Sequence, residues 1–503
     1  MLKKIIMKKN KVLHIVLNPV FVILFLLMLF TISAFHLNTN YDESLWMYIG
    51  SLWSDKGIPP YLGAVENKTP GIFVLFAISN YLTSSSLFFV RALGVIATLL
   101  TCFFLYAICK KIYNKVSAVI CLYVFGLITC WQSMDGFAFA HTEVFMVLLS
   151  TMAFYFLIRF KNFQEHFKWV LFAGLSMGLA IAFKQIAITT ACTLGIVLLI
   201  FGRGKSFLLQ IKGLLILVFG ISITTFLSYL VLYFYGVSFY EYIEGAWLIL
   251  FNTGSKVTSI TEHFNNFISK LIVSRFVLFY PLVIWFLLKK NIINHPYKIV
   301  LGVWLLLDFI GVNASGYYFG HQLKQILPVF SIITAISISF LISKKHKEDN
   351  NSIYTRAAQI ILMIGAVCFP YKQLYHNFKL VLEHNSTLVL PHVEIANWIQ
   401  KNSSNDDYIY IIGGEPNLIR TQAIAKRASS SKHFQSIFIT SDYERDVLLE
   451  DLKEKPPIFI LRDQFIDKDI LKKYGKKVRT FVNNNYVLLK TMHEVEILQK
   501  RKF

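Results

Sequence analysis

The segment VFVILFLLMLFTISA, residues 20–34, decides the fold class, because it contains no charged side chain. It is the first of several apolar runs that approach the roughly 20 residues needed to cross a bilayer. Of 503 residues, 55% are hydrophobic and 16% are charged, whereas soluble domains carry about 25% charged residues. Open sheets cannot exist in hydrocarbon, and barrel strands would show alternating patterns. The sequence therefore predicts a mainly α-helical, polytopic transmembrane helix bundle.

About eleven spanning helices are predicted from the apolar runs. They are Ile15–Phe35, Leu87–Cys109, Val116–Trp131, Glu143–Phe160, Trp169–Phe183, Ile186–Phe201, Gly213–Tyr235, Ile272–Leu288, Lys298–Val312, Gln325–Ile342 and Ala357–Pro370. The basic N-terminus and the first run resemble a signal peptide, but without a clear cleavage site a retained helix is favoured. Gly71–Tyr81 is too short to span and is predicted to be a juxtamembrane helix.

Lys and Arg alternate between the connecting loops and predict the topology. Basic loops such as Lys110–Lys115 and Arg203–Lys212 are assigned to the cytoplasm by the positive-inside rule. Leu37–Ser86, Gln132–Thr142, Gly236–Ser269 and the C-terminus then face outward, and we expect a multi-pass protein of the cytoplasmic membrane. The net charge of +21 is attributed to these loops and to contact with membrane lipid, not to nucleic-acid binding.

The chain is predicted to form two domains, a transmembrane domain over residues 1–370 and an outer α/β domain over residues 371–503. The first outer loop, residues 37–86, carries the juxtamembrane helix. In the C-terminal domain we predict helices at Val393–Lys401 and Ser441–Lys453, the second capped by Ser441. Short apolar runs predict strands at Tyr408–Ile412, Pro457–Leu461 and Tyr486–Leu489. The six cysteines lie in or beside apolar runs and show no metal-ligand spacing.

Polar residues that are unusual beside lipid collect on the predicted outer face. They are Asp42, Glu43, Lys68, Arg91, His141, Glu143, Lys184 and His321. Charged groups at a membrane surface are costly, and they are functional candidates by default. Acids and bases gathered on one face indicate a single site.

The adjacent acids Asp42 and Glu43 are the first candidates. Neighbouring helical residues point about 100° apart, so we expect only one of them to face a reaction centre. Asp42 is the candidate general base and Glu43 a supporting residue. The structural alternative is that Asp42 caps a helix that begins near Ser44.

The remaining candidates each have a structural alternative as well. Lys68 precedes an apolar helix, where a lysine and free backbone N–H groups would together bind an anion. Lys184 lies between two apolar runs and needs a partner or a lipid phosphate, although both lysines could simply snorkel to the interface. Glu143 could serve only the helix dipole, and His321 could be a hydrogen-bonded structural residue.

The order of these motifs resembles the GT-C glycosyltransferases of the protein-mannosyltransferase and aminoarabinose-transferase type. The resemblance covers Tyr41–Gln185 and Gly316–Pro328, with Asp-Glu after the first span, Lys-Thr-Pro-Gly at 68–71 and Thr-Glu at 142–143. Two positions depart from the family pattern. Lys68-Thr69-Pro70 stands where the family commonly has Lys-Pro-Pro, and Glu143 stands where it often has Asp.

The resemblance implies an enzyme that moves a sugar from a polyprenyl-phosphate donor to an acceptor hydroxyl of a lipid, glycan or protein. Lys68, Lys184 and Arg91 would bind the donor phosphate, and Asp42 would take the acceptor proton in an inverting displacement. Glu143 would orient the acceptor or the sugar, or support Asp42. His141, His321 and Tyr61 are further site candidates. No cofactor is required, and a divalent metal is left open.

Two other functions compete with this interpretation. Another polyprenyl-linked enzyme, a glycan ligase or polymerase, would concentrate basic and polar residues in a large later loop, whereas Gly236–Ser269 is not especially basic. A transporter or flippase would place charges near the middle of helices. Asp308, deep in a predicted span, is the main residue of that kind.

Overall fold

The computed structural model describes residues 18–35, 40–83, 86–131, 135, 138–160, 167–250, 259–273, 279–314, 318–342, 375 and 390–501. The predicted span Ala357–Pro370 and the predicted domain boundary at 370 lie outside these residues. Over the described residues the α-helices are α1 Pro19–Ala34, α2 Tyr41–Lys56, α3 Gly71–Leu82, α4 Ser86–Ile112, α5 Lys115–Thr129, α6 Thr142–Arg159, α7 Phe167–Phe183, α8 Ile188–Phe201, α9 Phe207–Tyr233, α10 Phe239–Ile243, α11 Ile260–Val273, α12 Tyr280–Leu288, α13 His295–Asn313, α14 Leu327–Ile342, α15 Pro391–Lys401, α16 Glu415–Ala425, α17 Asp442–Glu454, α18 Lys468–Lys473 and α19 Gly475–Asn485. The strands are β1 Tyr408–Ile412, β2 Ala428–Ser429, β3 Phe459–Asp463, β4 Tyr486–Met492 and β5 Val495–Lys500.

The helices confirm the predicted fold class, a mainly helical polytopic membrane protein with a small C-terminal sheet. Among the described residues, four helices are long and apolar enough to cross a membrane: Leu87–Ile112, Thr142–Arg159, Phe207–Tyr233 and His295–Asn313. Shorter apolar helices lie at other predicted spans, including α1, α5, α7 and α14. The predicted span Ile272–Leu288 is helical from Tyr280 to Leu288, and residues 274–278 lie outside the described part of the chain.

Contacts divide the chain into two compact units. The first, here called the helical unit, consists of Met1–His36, Arg91–Phe226 and Ser255–Glu383. The second, here called the mixed unit, consists of Leu37–Val90, Leu227–Gly254 and His384–Phe503. The predicted first outer loop and the C-terminal segment therefore belong to the same unit, although more than 290 residues separate them in the sequence.

In the helical unit, close packing fixes the backbone that leads into α6. Helix α6 packs along α7, and α14 packs along α5. Gly94 of α4 lies directly against the Phe139 carbonyl, and a Cβ atom at position 94 would be 1.8 Å from that oxygen. Only glycine permits this approach, and it places the segment 138–141 immediately before the first turn of α6.

The mixed unit contains a five-stranded sheet with the order β2-β1-β3-β5-β4. Strand β1 is parallel to β2 and β3, whereas β5 is antiparallel to β3 and β4. The three predicted strands are confirmed with small shifts, and Ser441 caps α17 through a capping box with Glu444. Strands β2 and β5 were not predicted, because β2 has only two residues and the short apolar run of β5 is interrupted by Glu496.

Hydrogen bonds join α2 to the C-terminal segment within the mixed unit. The Tyr48 hydroxyl accepts hydrogen bonds from the Ser429 amide at 2.7 Å and from the Gln422 side chain at 3.2 Å. The Tyr41 hydroxyl donates to Gln435 Oε1 at 2.5 Å. The Tyr48 ring also meets the Phe434 ring edge-on, at 5.4 Å between centroids. Strand β2 is thus secured by a tyrosine from a distant helix.

Tyr48→Phe is expected to destabilise the protein by about 1–3 kcal/mol, because it leaves the partly buried Ser429 amide without its acceptor. Thermal unfolding of the detergent-purified protein measures the loss. Tyr443→Phe is the matched control, since Tyr443 is 76% exposed and should show no change. Equal stability of the two variants would show that the Tyr48 hydroxyl contributes little.

The buried histidine His433 makes stability depend on pH. Burial and the charge of Lys432 lower the pKa of His433 from 6.5 to about 4. The unfolded chain therefore binds a proton more readily between these values, and stability falls as pH is lowered from about 6.5 to about 4. We expect a loss on the order of 3 kcal/mol at the acid end. His433→Gln should flatten the pH dependence of thermal unfolding in this window, and an unchanged slope would contradict the assignment.

Candidate active site

The centre of the polar cluster in the helical unit is Glu143, in the first turn of α6. Its carboxylate forms an ion pair with Lys184 through Oε1, and its Oε2 accepts a hydrogen bond from the Thr142 hydroxyl at 2.9 Å. The Glu143 side chain is 2% exposed and the Lys184 side chain is 13% exposed. Interaction with the helix dipole therefore does not fully account for Glu143, because the ion pair with Lys184 also holds its buried carboxylate in one position.

Lys184 reaches this position because α7 ends at Phe183. The Lys184 backbone is extended, and a 3₁₀ turn over Gln185–Ala187 follows before α8 begins at Ile188. This break turns the lysine side chain back toward the first turn of α6. The snorkelling alternative for Lys184 is not what the structure shows, since its ammonium group pairs with a buried carboxylate.

His321 lies in the 3₁₀ helix Gly320–Gln325 and faces two carboxylates. Its Nδ1 is 2.8 Å from Asp135 Oδ2, and its backbone N–H donates to the same oxygen at 2.9 Å. Its Nε2 is 3.7 Å from Glu143 Oε1. The rings of His141 and His321 lie 4.9 Å apart. The structure thus brings His141, Glu143, Lys184 and His321 together in one cluster.

Asp135 is a member of this cluster that sequence analysis missed. Burial opposes ionisation of its carboxyl group, but the hydrogen bond and charge of His321 outweigh burial, so the pKa of Asp135 lies below its ordinary value. Its φ of 49° is in the left-handed region, which Asp tolerates better than most residues. In the sequence Asp135 is followed by Gly136, and an Asp-Gly pair is typical of an ordinary turn.

Lys324 is the second residue that sequence analysis left without a role. Its side chain is buried, and its ammonium group donates to the backbone oxygens of Asp135 at 3.2 Å and Ala138 at 3.3 Å. It therefore holds the segment that carries Asp135. A lysine in the last turn of a 3₁₀ helix gives no indication of this contact before the fold is known.

Asp308, the residue that favoured a transporter, is bound in a structural network. Its carboxylate accepts hydrogen bonds from Thr190 at 2.6 Å, Trp304 at 2.8 Å and Gln325 at 3.3 Å. Gln325 also donates to Thr189 at 2.8 Å. A buried polar group that is fully engaged in this way needs no transported ion to account for it.

In the mixed unit, Asp42 and Glu43 lie in the first turn of α2. The cap of this helix is Asn40, whose Oδ1 accepts a hydrogen bond from the Glu43 amide at 2.8 Å. The alternative that Asp42 caps a helix near Ser44 is therefore wrong, because the helix already begins at Tyr41. Glu43 is fully buried, whereas Asp42 is only partly buried. Asp42 is thus the more accessible of the two acids.

Lys68 of the mixed unit lies within a short polar segment. Its ammonium group bonds to Asn67 Oδ1 at 2.6 Å and pairs with Glu66 at 3.3 Å. Burial raises the pKa of Glu66 above its ordinary value, Lys68 lowers it in part, and the charge of Asp42 raises it further. Asp42, Glu66 and Lys68 therefore share one electrostatic environment.

Tyr61 fixes the backbone of this segment. Its hydroxyl donates to the Lys68 carbonyl at 2.6 Å, and burial raises its pKa well above the ordinary value, so the proton is retained. Its φ of 71° is unusual for a tyrosine, and its ring packs edge-on to Phe73 and Tyr242. Arg91, the remaining predicted site residue, belongs to the helical unit and is fully buried in α4.

Comparisons with known proteins agree with this architecture. The family model described as dolichyl-phosphate-mannose-protein mannosyltransferase matches residues 67–229. The structure is similar to ArnT from Cupriavidus metallidurans bound to undecaprenyl phosphate, with a TM-score of 0.60 and 12% identity over 95% of this chain and 97% of that chain. No protein with a curated function matches the sequence.

Archaeal oligosaccharyltransferases have the same fold at lower coverage. AglB from Archaeoglobus fulgidus in complex with an inhibitory peptide and a dolichol-phosphate aligns with a TM-score of 0.58 and 11% identity over 93% of this chain and 72% of that chain. A complex of the Archaeoglobus fulgidus oligosaccharyltransferase with Zn and sulfate aligns with a TM-score of 0.55 and 13% identity over 92% and 71%.

The partial family match and the shared fold make this chain similar to membrane glycosyltransferases of the GT-C superfamily. Within that superfamily the chain is similar to the protein-mannosyltransferase and ArnT type, which confirms the resemblance predicted from the sequence.

Proposed function

We propose that this glycosyltransferase moves a sugar from a polyprenyl-phosphate carrier to an acceptor hydroxyl. The observation that carries the proposal is the buried ion pair between Lys184 and Glu143, which lies at the first turn of the apolar helix α6. A cation at the end of an apolar helix can reach a phosphate that is anchored by a lipid tail. The similarity to ArnT with undecaprenyl phosphate and to AglB with dolichol-phosphate supports a donor of this class.

The chemistry is a single in-line displacement at the anomeric carbon. Asp42 takes the proton of the acceptor hydroxyl as its oxygen bonds to that carbon. The bond from the carbon to the phosphate oxygen breaks, and the phosphate leaves with the electron pair. Lys68, Lys184 and Arg91 stabilise the charge that develops on it. One displacement inverts the configuration of the sugar.

Glu143 has a narrower role in this proposal than in the sequence-based prediction. Because its carboxylate is engaged with Lys184 and Thr142, it orients the lysine rather than the acceptor. Glu43 supports α2 from its buried position, and Tyr61 holds the Lys68 backbone. No step of this reaction scheme requires a metal ion, and the scheme is compatible with a bound divalent metal.

A transfer assay with the purified full-length protein tests the proposal. The donor is a polyprenyl-phosphate monosaccharide, the acceptors are lipid, glycan and peptide fractions of the cell envelope, and the anomeric configuration of the product is read by NMR. Transfer with inversion from the lipid donor, and none from a nucleotide sugar, is the expected result. Transfer from the nucleotide sugar alone would reject the proposed donor class.

A second candidate is transfer of a larger, lipid-linked glycan, and the fold shared with oligosaccharyltransferases favours it. The same assay separates the two candidates when a polyprenyl-linked oligosaccharide replaces the monosaccharide donor. Transfer of the whole oligosaccharide, with the monosaccharide donor inactive, would replace the first candidate with the second.

The proposed location is the cytoplasmic membrane, with the site and the C-terminal segment on the outer face. Tyr443 of α17 is 76% exposed and suits a labelling test. In intact cells, Tyr443→Cys is expected to react with a membrane-impermeant maleimide added from outside. Wild-type protein sets the background of labelling, because four of its described cysteines are buried and one, Cys192, is exposed. Labelling of Tyr443→Cys only after the membrane is opened would reverse the orientation.

A further inference from the structure

Two basic side chains lie beside Glu143 Oε1, and only one of them is bound to it. Lys184 forms the ion pair, and His321 Nε2 stands 3.7 Å from the same oxygen. That distance is too long for a hydrogen bond but needs only a small movement to become one. His321 is therefore placed next to the Glu143 carboxylate, which Lys184 already binds.

Asp135 prevents His321 from turning away. Both the ring Nδ1 and the backbone N–H of His321 lie within 3 Å of Asp135 Oδ2, and Lys324 holds the Asp135 backbone. The Phe319 ring is stacked on the imidazole, at 5.6 Å between centroids with an interplanar angle of 14°. With Nδ1 fixed on Asp135, Nε2 must point toward Glu143.

This arrangement matters when Lys184 leaves Glu143 for a second anion. If Lys184 moves to a phosphate, the buried Glu143 carboxylate loses its partner, and a buried carboxylate without one is strongly unfavourable. An imidazolium bonded to Asp135 through Nδ1 and to Glu143 through Nε2 would replace the lost charge and the lost hydrogen bond. The cost of releasing the lysine would then be small.

We propose that His321, positioned by Asp135, is the replacement partner of Glu143 that releases Lys184 to the phosphate of the lipid donor. The inference rests on the proposed function and adds to it the event that makes Lys184 available. Asp135 is a positioning residue, because it acts only through His321. His321 in turn pairs with the Glu143 carboxylate while Lys184 binds the phosphate.

Binding of undecaprenyl phosphate to the purified full-length protein tests the exchange without requiring activity. His321→Asn and Asp135→Gly are each expected to weaken binding about tenfold, the lower end of the effect of losing a partner that orients an imidazole. Gly tolerates the φ of 49° at position 135. Asp135→Asn keeps an amide oxygen near His321 and should lose less. Asp446→Asn is the control, since Asp446 pairs with Lys477 on the surface.

Combined variants separate the exchange from a purely structural role. Asp135→Gly with His321→Asn should bind no more weakly than His321→Asn alone, because Asp135 acts through His321. In a Glu143→Gln background, His321→Asn should have no effect, since a neutral side chain needs no replacement cation. The proposal would be overturned if the losses of binding in Asp135→Gly and His321→Asn were additive. It would also be overturned if His321→Asn still weakened binding in the Glu143→Gln background.

The two proposals fail in different ways. Wild-type protein that does not bind undecaprenyl phosphate would reject the proposed donor class itself. Wild-type binding with an unchanged affinity in His321→Asn would reject only the exchange. Thermal unfolding of each variant identifies any that are misfolded, and Asp135→Asn remains informative if Asp135→Gly does not fold.

Discussion

Asp42→Asn is expected to lower sugar transfer by about 10²–10⁴-fold, the contribution of a positioned general base. Asparagine has the same shape but cannot accept the acceptor proton. Asp42 lies in the first turn of α2 and remains partly exposed, so a substrate hydroxyl can reach it. The measurement is kcat for transfer from a polyprenyl-phosphate sugar, with the amount of folded protein determined for each preparation.

The control for Asp42→Asn is Asp446→Asn, which removes one surface carboxylate and should leave kcat unchanged. The loss of charge at the start of α2 should cost only about 0.3–1 kcal/mol of stability, so the variant is expected to fold. Glu43→Gln distinguishes the two adjacent acids. Full activity in Asp42→Asn together with a large loss in Glu43→Gln would exchange their roles.

Lys184→Met is expected to lower kcat by about 10²–10³-fold, because a preorganised cation no longer meets the charge that develops on the leaving phosphate. Methionine keeps most of the apolar stem of lysine. Lys477→Met is the control, since Lys477 pairs with Asp446 on the surface. A raised KM for the donor with an unchanged kcat would instead show that Lys184 only helps to bind the donor.

The free energy of unfolding should depend on Lys184 and His321 jointly. If His321 can take over Glu143, Lys184→Met alone loses little stability. Lys184→Met with His321→Asn removes both partners of the buried carboxylate and is expected to cost about 3–5 kcal/mol. Adding Glu143→Gln should restore most of this stability but not the activity. Equal melting temperatures for the single and double variants would contradict the coupling.

Local patterns in the sequence predicted most of the helices and several cluster residues. Apolar runs marked α1, α5, α6 and α14 because a helix in lipid must be apolar over its whole length. Glu143, Lys184 and His321 were found for the same reason, since polar residues stand out where apolar runs begin or end. The Ser441 cap was predicted because a capping box is a local motif.

Other features could not be predicted because they depend on distant parts of the chain. Asp135 and Lys324 acquire their roles only through contacts with each other and with His321 across about 190 residues. Strand β2 has two residues, and its amide at Ser429 is satisfied by Tyr48 of α2. No short window of sequence contains both members of such a pair.

The sequence by itself determined a helical membrane protein, its C-terminal sheet and the types of polar residue available for chemistry. These follow from hydrophobicity, periodicity and capping, which act over one helix or one strand. The tertiary structure alone decided that Glu143 meets Lys184 and that Asp135 holds His321 beside it. The physical reason is that a buried charge takes whichever partner the packed helices bring to it, and packing is a property of the whole chain.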